Sequence, residues 1–367
     1  MLKMLQDTEL KDLVIKVEQG ERLSREDGIR LMKSNDLLAI GYLADLIRQR
    51  KNGDNVYFIV NRHINHTNIC KTRCKLCAFG RDAEDEGAYL MSLDEVEAKA
   101  KEVQNAHISE VHIVGGCHPD LQMPYYEDML RRVSRVLPGV HIKAFTAAEI
   151  DHYATTAGIS PEEVLKRLQA AGLGSLPGGG AEIFSPRVRA LICEKKVSGE
   201  RWLEIHALAH KLGMRTNATM LYGHVETPAE RIDHLLALRE LQDQTGGFLT
   251  FIPLAFHPQN TGLEALQIPR TTGFDDLKVL AVARLMLDNF DHIKAYWVMI
   301  GPKMAQVSLA FGVDDLDGTI IEERITHAAG ADTGQSLTKA EMVNMVKAAG
   351  RKPIQRDTLY NIIEEGL

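Results

Sequence analysis

The sequence predicts an α/β fold, a closed parallel βα barrel of the TIM type, and two observations lead to this prediction. Apolar, β-branched runs of strand length alternate with helical patterns between residues 55 and 330, and such alternation indicates a parallel sheet. The spacing stays close to one βα unit, so we expect about seven or eight strands, the first in "VYFIVNRHINHTN" and the last near "VSLAFGVDDL". An open sheet would show the same alternation, but the barrel fits better.

Both flanks of the barrel are predicted to be helical. Residues 1–54 have helical patterns and precede the first strand, so they are expected to cover the barrel. Residues 331–367, which include "SLTKAEMVNMVKAAGRKPIQRDTLYNIIEEGL", are predicted as a helical segment packed on it. No Gly/Ser-rich linker or change in composition divides the chain, so residues 55–330 are expected to form one domain.

Within the barrel, helix-start and helix-stop signals separate the predicted elements. Residues 92–95 and 227–230 are capping boxes, and another helix has a Ser160 cap, Pro161 at its first position and Gly172 as its stop. In chain order, the helices are expected in "MSLDEVEAKAKEV", "YYEDMLRRVSRVLPG", "SPEEVLKRLQAAG", "GERWLEIHALAHKLG", "TPAERIDHLLALRELQ" and "FDDLKVLAVARLMLDNF". The strands between them are expected in "EVHIVGG", "VHIKAF", "MRTNATMLYG", "FLTFIPLAF" and "IKAYWVMIG", and "LGSLPGGGAEIF" is expected to be a strand followed by a loop.

Composition and charge narrow the class of protein. The chain has 367 residues and a net charge of −7, and an acidic protein is poorly suited to bind a polyanion, so nucleic acid is not an expected partner. No stretch has the length and apolarity of a signal peptide or a membrane span. A cytoplasmic enzyme is therefore expected, and its five cysteines are not expected to form disulfides.

Three of the five cysteines, Cys70, Cys74 and Cys77, lie together in "NICKTRCKLCAFG" after the first predicted strand. That loop is at the carboxyl end of the barrel, where such barrels have their active sites. Three thiolates can hold three irons of a cubane cluster and leave the fourth iron open. Zinc with His63 or His66 as fourth ligand, as in a zinc hydrolase, is the alternative, but zinc sites usually have a second cysteine pair. Spacing alone favours the cluster and leaves zinc open.

The spacing C-x3-C-x2-C after the first strand of a βα barrel resembles the radical S-adenosylmethionine (SAM) superfamily. The resemblance implies a [4Fe–4S] cluster on the three cysteines, with SAM bound to the open iron. "IVGGCHPD" resembles the glycine motif of the superfamily, which implies that Gly115 and Gly116 contact the methionine part of SAM. One residue departs from the pattern: Leu76 stands where many members have an aromatic residue against the adenine, and Phe79 follows.

A closer resemblance, to the aminofutalosine synthase family of menaquinone biosynthesis, extends from about residue 55 to 330. The motifs that carry it are "HINHTNIC", "CAFGRD", "LPGGGAEIF", "TNATMLYGHVETPAERIDHLLALRELQDQTGGF", "FIPLAFHPQNT" and "ITHAAGA". "PGGGAEI" is shared with two sister families, dehypoxanthine futalosine cyclase and the synthases of the deazaflavin core, whereas "NATMLYGHVE" and "IPLAFHP" favour aminofutalosine synthase. The sister reactions are the alternatives.

The resemblance implies a reaction between SAM and 3-[(1-carboxyvinyl)oxy]benzoate. The 5′-deoxyadenosyl radical would add to the enol-ether double bond, and the resulting radical would attack the ring at the ether-bearing carbon. Loss of a carboxylate as bicarbonate or CO2 would give aminofutalosine, with methionine released. A low-potential ferredoxin or flavodoxin is the implied electron donor.

A substrate with two carboxylates requires donor groups at the barrel mouth. The candidates at strand ends are Asn217, Tyr222, His224 and His257, with Arg81 just past the cysteine loop. His224 and His257 are the catalytic candidates because both follow strands, and Pro258 stiffens the mount of His257, whose imidazole would donate a hydrogen bond to a carboxylate. Packing is the alternative role for each.

The triple-glycine loop is the last predicted cofactor contact. Glycine lets a backbone come close to a ligand, so Gly178 and Gly179 are expected near SAM. Glu182 would accept hydrogen bonds from the ribose hydroxyls; its alternative is a solvated loop carboxylate. Cys117 and Cys193 are predicted to be small buried residues outside the cluster.

Overall fold

The computed structural model of the chain describes residues 8–367, so residues 1–7 of the predicted cover lie outside the described residues. Its strands are β1 (Asn55–Ile59), β2 (Asn61–Ile64), β3 (Glu110–Ile113), β4 (His141–Ala144), β5 (Ser175–Leu176), β6 (Arg215–Tyr222), β7 (Phe248–Ala255), β8 (His292–Ile293), β9 (Asp315–Gly318), β10 (Lys352–Arg356) and β11 (Ile362–Glu364).

The helices begin with three that precede the first strand: α1 (Lys11–Gln19), α2 (Arg25–Lys33) and α3 (Leu37–Asn52). The rest are α4 (Leu93–Lys101), α5 (Met123–Val136), α6 (Ala147–Ala157), α7 (Pro161–Ala171), α8 (Pro186–Ile192), α9 (Gly199–Lys211), α10 (Pro228–Thr245), α11 (Gly273–Met286), α12 (Trp297–Ile300), α13 (Pro302–Ser308), α14 (Ile325–Ala328) and α15 (Lys339–Ala348), with a 3-10 turn at Glu264–Leu266. Across residues 8–367, no helix combines the length and the apolarity that a membrane crossing needs.

The predicted parallel βα barrel is confirmed. Strands β2 to β8 form one seven-stranded sheet in sequence order, and every neighbouring pair is parallel. Single parallel bridges connect Lys294 with Asp315 and Arg62 with Ile321. Both edges of the sheet therefore reach the segment around β9, and this segment closes the barrel.

The first predicted strand is divided into two strands that belong to different sheets. β1 pairs with β9 and β10, whereas β2 begins the barrel sheet, so one continuous strand through "VYFIVNRHINHTN" is wrong. The pairing of β1 with β9 shifts register between Tyr57 and Ile59, and Asn61 then hydrogen-bonds Glu110 at 3.2 Å. Residues buried on both faces show no alternation, so the sequence does not reveal the break.

Two later strands are shorter than predicted. β8 ends at Ile293, and "WVMI" of the predicted strand forms the helical turn α12. "VSLAFGVDDL" begins in helix α13, and its strand starts only at Asp315. Gly301, with φ +83°, separates the two helices, and Pro302 starts the second. Short apolar runs do not distinguish a buried helical turn from a buried strand.

The C-terminal tail is only partly helical. Helix α15 matches the prediction, but the helical prediction is wrong for residues 352–364, where β10 pairs in parallel with β1 and β11 pairs antiparallel with β10. Gly350, with φ +70°, ends the helix. Arg356 of β10 then forms an ion pair with Asp315 at 2.6 Å. These partners are distant in sequence, and local patterns cannot indicate such a pairing.

Candidate active site

The three clustered cysteines lie on an irregular loop between β2 and α4, at the carboxyl end of the barrel strands. The loop folds back on itself: the Cys70 N–H donates to Arg81 O at 3.0 Å and the Arg81 N–H donates to Asn68 O at 2.8 Å. Cys77 closes a tight turn by donating its N–H to Cys74 O at 3.0 Å. All three thiols are free, so the local folding presents three unlinked sulfurs from one short loop.

The Cys70 thiol is prepared for ionisation. Its Sγ accepts the Cys117 N–H at 3.3 Å and lies 2.9 Å from the Thr72 hydroxyl. The contacts with Cys117 and Thr72 outweigh burial and lower the pKa of Cys70 to about 4. Burial raises the pKa of Cys77. Metal ligation requires thiolates, and at least Cys70 is one at neutral pH without a metal.

The donor set fits an iron–sulfur cluster. Within residues 8–367, no three Cys, His, Asp or Glu side chains converge closely enough to enclose one metal ion. A [4Fe–4S] cluster binds each thiolate through a different iron, so its ligands stand farther apart than those of a single ion. Gly80 borders the thiols, since a Cβ there would lie 3.6 Å from Cys70 Cβ and 3.9 Å from Cys77 Sγ. When bound, the cluster would supply one electron to split the sulfonium bond of SAM.

The glycine pair after β3 packs directly against the cysteine loop. The Gly116 N–H donates to Thr67 O at 2.9 Å, and a Cβ at Gly116 would lie 2.8 Å from the Ile69 carbonyl carbon and closer still to its oxygen. The Gly115 N–H donates to Glu149 Oε1 at 3.0 Å. Only a glycine at position 116 allows this close approach to Ile69, because any Cβ would overlap the carbonyl group. The contact of the glycine pair with SAM stays a prediction.

His66, the alternative zinc ligand, is enclosed by aromatic rings. Its side chain has no exposure, and its ring centre lies 6.0 Å from that of Tyr126 and 6.3 Å from that of Phe145. Both of its ring nitrogens lack hydrogen-bond partners, and burial lowers its pKa to about 3. The ring also fills the space that a Cβ at Gly115 would need.

The triple-glycine loop lies against the next strand, β6. A Cβ at Gly178 would lie 2.7 Å from Thr219 Cγ2 and 2.8 Å from Ala218 C, and the Thr219 hydroxyl donates to Gly178 O at 2.6 Å. The indole N–H of Trp202 donates to Gly179 O at 3.2 Å. The loop is therefore held firmly, and its role in binding SAM stays a prediction.

Glu182 is buried, which rules out the solvated loop carboxylate considered from sequence. It is 8% exposed and forms an ion pair with Lys196 at 2.6 Å. Burial would raise the pKa of Glu182, but Lys196 overrides this effect and lowers it. Burial would lower the pKa of Lys196, but Glu182, with smaller effects of the neighbouring Cys74 and Cys193, raises it. The structure thus brings a buried carboxylate–ammonium pair next to the cysteine loop, and the sequence analysis missed Lys196.

The candidates on and after β6 separate into two groups. Asn217 is 4% exposed and lies on the opposite strand face from Tyr222, so it faces the barrel interior. The Tyr222 hydroxyl donates to Asp276 Oδ1 at 2.7 Å, on the outer helix α11. The His224 ring lies 2.9 Å from Glu226 and 3.0 Å from Leu221 O, and its side chain has no exposure. The structure therefore does not bring Tyr222 and His224 together with Asn217.

Arg81 braces the cysteine loop. Its guanidinium donates to Ala78 O at 2.8 Å and to Gly80 O at 3.0 Å. These carbonyls lie just past the third cysteine, so the side chain holds the return of the loop in place. Its contact with the substrate stays a prediction.

His257 lines a cleft of about 280 Å³ that also includes Arg270 and Asp332. Its Nε2 lies 3.0 Å from Met299 O, so Nε2 carries the proton. Nδ1 is buried and has no partner, and burial lowers the pKa of the ring. A neutral His257 with this tautomer has no second N–H, so the structure changes the expectation that it donates to a substrate carboxylate.

We therefore expect His257→Ala to keep the coupling between SAM cleavage and product formation. Loss of the buried hydrogen bond to Met299 should lower the free energy of unfolding by about 1–3 kcal/mol. The ratio of the product that contains the adenosyl group to free 5′-deoxyadenosine checks the coupling, and a thermal unfolding experiment checks the stability. A fall of about 100-fold in adduct with deoxyadenosine accumulating would restore the substrate-positioning role.

Comparisons with known proteins agree with this geometry. Residues 64–238 match the radical SAM superfamily and residues 245–366 match the CofH/MqnC C-terminal region. The chain is 51% identical to an aminodeoxyfutalosine synthase of Thermus thermophilus over 98% of this chain and 97% of that protein. It is 45% identical to one of Streptomyces coelicolor, with 97% and 94% covered.

A second group of relatives is named for a different activity. A 5-amino-6-(D-ribitylamino)uracil–L-tyrosine 4-hydroxyphenyl transferase of Methanococcoides burtonii is 42% identical, with 93% of this chain and 96% of that protein covered.

Among solved structures, methylornithine synthase PylB shares the fold, with a TM-score of 0.73 and 18% identity over 92% of this chain and 96% of that chain. The 51% and 45% identities to the two aminodeoxyfutalosine synthases, over nearly the full length of each chain, establish the family. The chain belongs to the radical SAM superfamily, whose enzymes use a [4Fe–4S] cluster and SAM.

Proposed function

We propose that this enzyme joins the 5′-deoxyadenosyl group of SAM to 3-[(1-carboxyvinyl)oxy]benzoate and forms aminofutalosine for menaquinone biosynthesis. The observation that carries the proposal is the 51% and 45% identity to two aminodeoxyfutalosine synthases along almost the whole chain. The relatives named as hydroxyphenyl transferases are 39–42% identical, so the first group is the closer match.

The residues around the cysteine loop suit this chemistry. The cluster would be held by Cys70, Cys74 and Cys77, and with SAM bound it would supply a 5′-deoxyadenosyl radical. A primary carbon radical reacts with almost any nearby C–H, so its target must be held close before it forms. The chain's part is positioning: the glycine pair fixes the cysteine loop, and Glu182 and Lys196 form a buried, charged wall beside it.

The proposed overall reaction accounts for every part of both substrates. The 5′ carbon bonds to the terminal vinyl carbon, and the oxygen-bearing vinyl carbon bonds to the ring carbon that carried the ether. The aryl C–O bond breaks, the oxygen stays on the chain carbon as the ketone, and the carboxylate leaves as CO2, or as bicarbonate once water has added. Methionine is the second product. One electron from a low-potential carrier starts the reaction, and the spare electron can return to the cluster. We propose a ferredoxin or flavodoxin as that carrier.

The consumption of SAM tests the proposed reaction. Reduced enzyme under anaerobic conditions should consume about one SAM per aminofutalosine, because the adenosyl group is incorporated into the product. Quantitative chromatography of methionine, deoxyadenosine and aminofutalosine checks the ratio. Accumulation of 5′-deoxyadenosine as the main product with the enol ether present would indicate hydrogen abstraction, as expected of the sister cyclase.

The hydroxyphenyl transferase activity is the second candidate because close relatives carry that name. The same enzyme preparation should therefore be offered L-tyrosine with 5-amino-6-(D-ribitylamino)uracil in a parallel assay. Under the proposed function, this pair gives no adduct while the benzoate is consumed. An adduct from the tyrosine pair, with the benzoate untouched, would assign the chain to the other branch.

A further inference from the structure

One row of side chains inside the barrel has no role in the chemistry above. Strand register aligns His63 of β2 with His112 of β3, and His112 with Lys143 of β4. Arg62, the neighbour of His63, forms an ion pair with Glu102 just beyond helix α4, outside the barrel, at 2.8 Å. Alternate residues of a strand face opposite sides, so His63, His112 and Lys143 face the interior.

This composition is unusual for a barrel interior. Packed βα barrels fill their interior mainly with branched apolar side chains, whereas this row consists of three nitrogen-bearing side chains. His63 is 9% exposed and Lys143 is 5% exposed, and His112 is only half-buried. His112 therefore keeps part of its surface accessible inside the barrel.

The two imidazoles lack polar partners. Their ring centres are 4.6 Å apart, and among residues 8–367 neither side chain forms a hydrogen bond; His112 Nε2 is buried and unpartnered. Buried polar groups are normally hydrogen-bonded, so the unpartnered His112 Nε2 is available to a polar ligand.

Lys143 has spare donors as well. Its ammonium makes one ion pair, with Glu110 Oε1 at 2.8 Å. Glu110 also accepts from Asn61 at 3.2 Å and from Thr358 at 3.0 Å, so the carboxylate is satisfied while the ammonium keeps unused N–H groups. A buried ion pair stabilises a fold no better than apolar residues would, so stability alone does not explain its presence.

We propose that His63, His112 and Lys143 form a carboxylate-binding site that holds one acidic group of the substrate in the barrel. An ammonium and two imidazoles in one row supply the charge-assisted donors that a carboxylate prefers. This inference rests on the proposed function, whose substrate carries two carboxylates. The row spans three adjacent strands, so the anchored ligand is held by the rigid barrel, as radical addition requires.

The test combines an enzyme variant with a ligand variant. Lys143→Met would leave Glu110 buried without its cation, so it is paired with Glu110→Gln to keep the fold. The ligands are 3-[(1-carboxyvinyl)oxy]benzoate and its two mono-amides, each lacking one carboxylate charge. Equilibrium dialysis against cluster-loaded enzyme gives each dissociation constant, and the cluster absorbance and SAM binding should not change.

We expect the double variant to bind the dicarboxylate about 10- to 100-fold more weakly, as for loss of a charge-assisted contact. For one of the two mono-amides, the double variant should bind no more weakly than the wild type does, because that ligand already lacks the charge that the site holds. The group converted to an amide in that ligand is then the anchored carboxylate. His63→Phe should weaken binding in the same pattern. It removes the nitrogens and keeps an aromatic ring beside His112.

A matched control removes a buried ion pair outside the row of His63, His112 and Lys143. Arg284 and Asp314 form a fully buried pair at helix α11, so Arg284→Met with Asp314→Asn should leave all three dissociation constants unchanged. If the wild-type enzyme consumes the benzoate but the Lys143→Met, Glu110→Gln double variant binds all three ligands as tightly as the wild type does, only this inference is overturned. Wild-type enzyme that neither binds nor consumes the benzoate overturns the proposed function and this inference with it.

Discussion

Cys74→Ala should lose the iron–sulfur chromophore and all turnover. In the proposed site three thiolates hold the cluster, so removal of one would leave an iron without a protein ligand. Cys74 is buried and lies on the tight turn that Cys77 closes with its N–H, so the substitution removes a sulfur from the middle of the cysteine loop. Iron and sulfide analysis and the absorbance spectrum measure the loss of the cluster, and the aminofutalosine assay measures the loss of turnover.

Cys193→Ala is the matched control. Cys193 is 2% exposed, and burial raises its pKa to about 12. It lies next to Ile192, whose carbonyl oxygen accepts a hydrogen bond of 3.3 Å from the Leu76 N–H of the cysteine loop. The substitution removes a thiol of similar burial without removing a ligand. Full iron content in Cys74→Ala, or iron loss equal to it in Cys193→Ala, would contradict the ligand assignment.

The sequence was sufficient for features that depend on local patterns. The three cysteines lie within a few residues of each other, as do the residues of each capping box, and the alternation of strands with helices is visible in short windows of sequence. The structure has these features at the predicted positions. The split between β1 and β2 and the pairing of β10 with β1 depend on residues about 300 positions apart, so no local pattern contains them.

The candidate site shows the same limit. His63 was considered only as a zinc ligand, because its alignment with His112 and Lys143 depends on the register of three strands. Lys196 follows Glu182 by fourteen residues, and only the fold of the intervening helix α8 brings their charges together. Tyr222 had the right chemistry for the substrate, but strand alternation turns it toward Asp276.

Gly116→Ala is expected to have the next largest effect, although it changes no ligand and no charge. The added Cβ would overlap the Ile69 carbonyl group, which is backbone and cannot rotate away. The cysteine loop would therefore have to move at Cys70, whose Sγ accepts the Cys117 N–H from the same glycine segment. Overpacking of this kind costs about 1–3 kcal/mol.

We expect iron content and turnover of Gly116→Ala to fall about tenfold or more, the equivalent of at least about 1.4 kcal/mol, while far-ultraviolet circular dichroism stays that of the wild type. Gly334→Ala is the control, because the nearest atom to a Cβ there is Ser336 O at 3.6 Å, an ordinary contact. Reconstitution with iron and sulfide separates two causes of the loss: a displaced cysteine loop keeps the cluster from forming, whereas a lost contact with SAM leaves it intact. Normal cluster content with weakened SAM binding would thus move the role of Gly116 from packing against Ile69 to binding the methionine part of SAM.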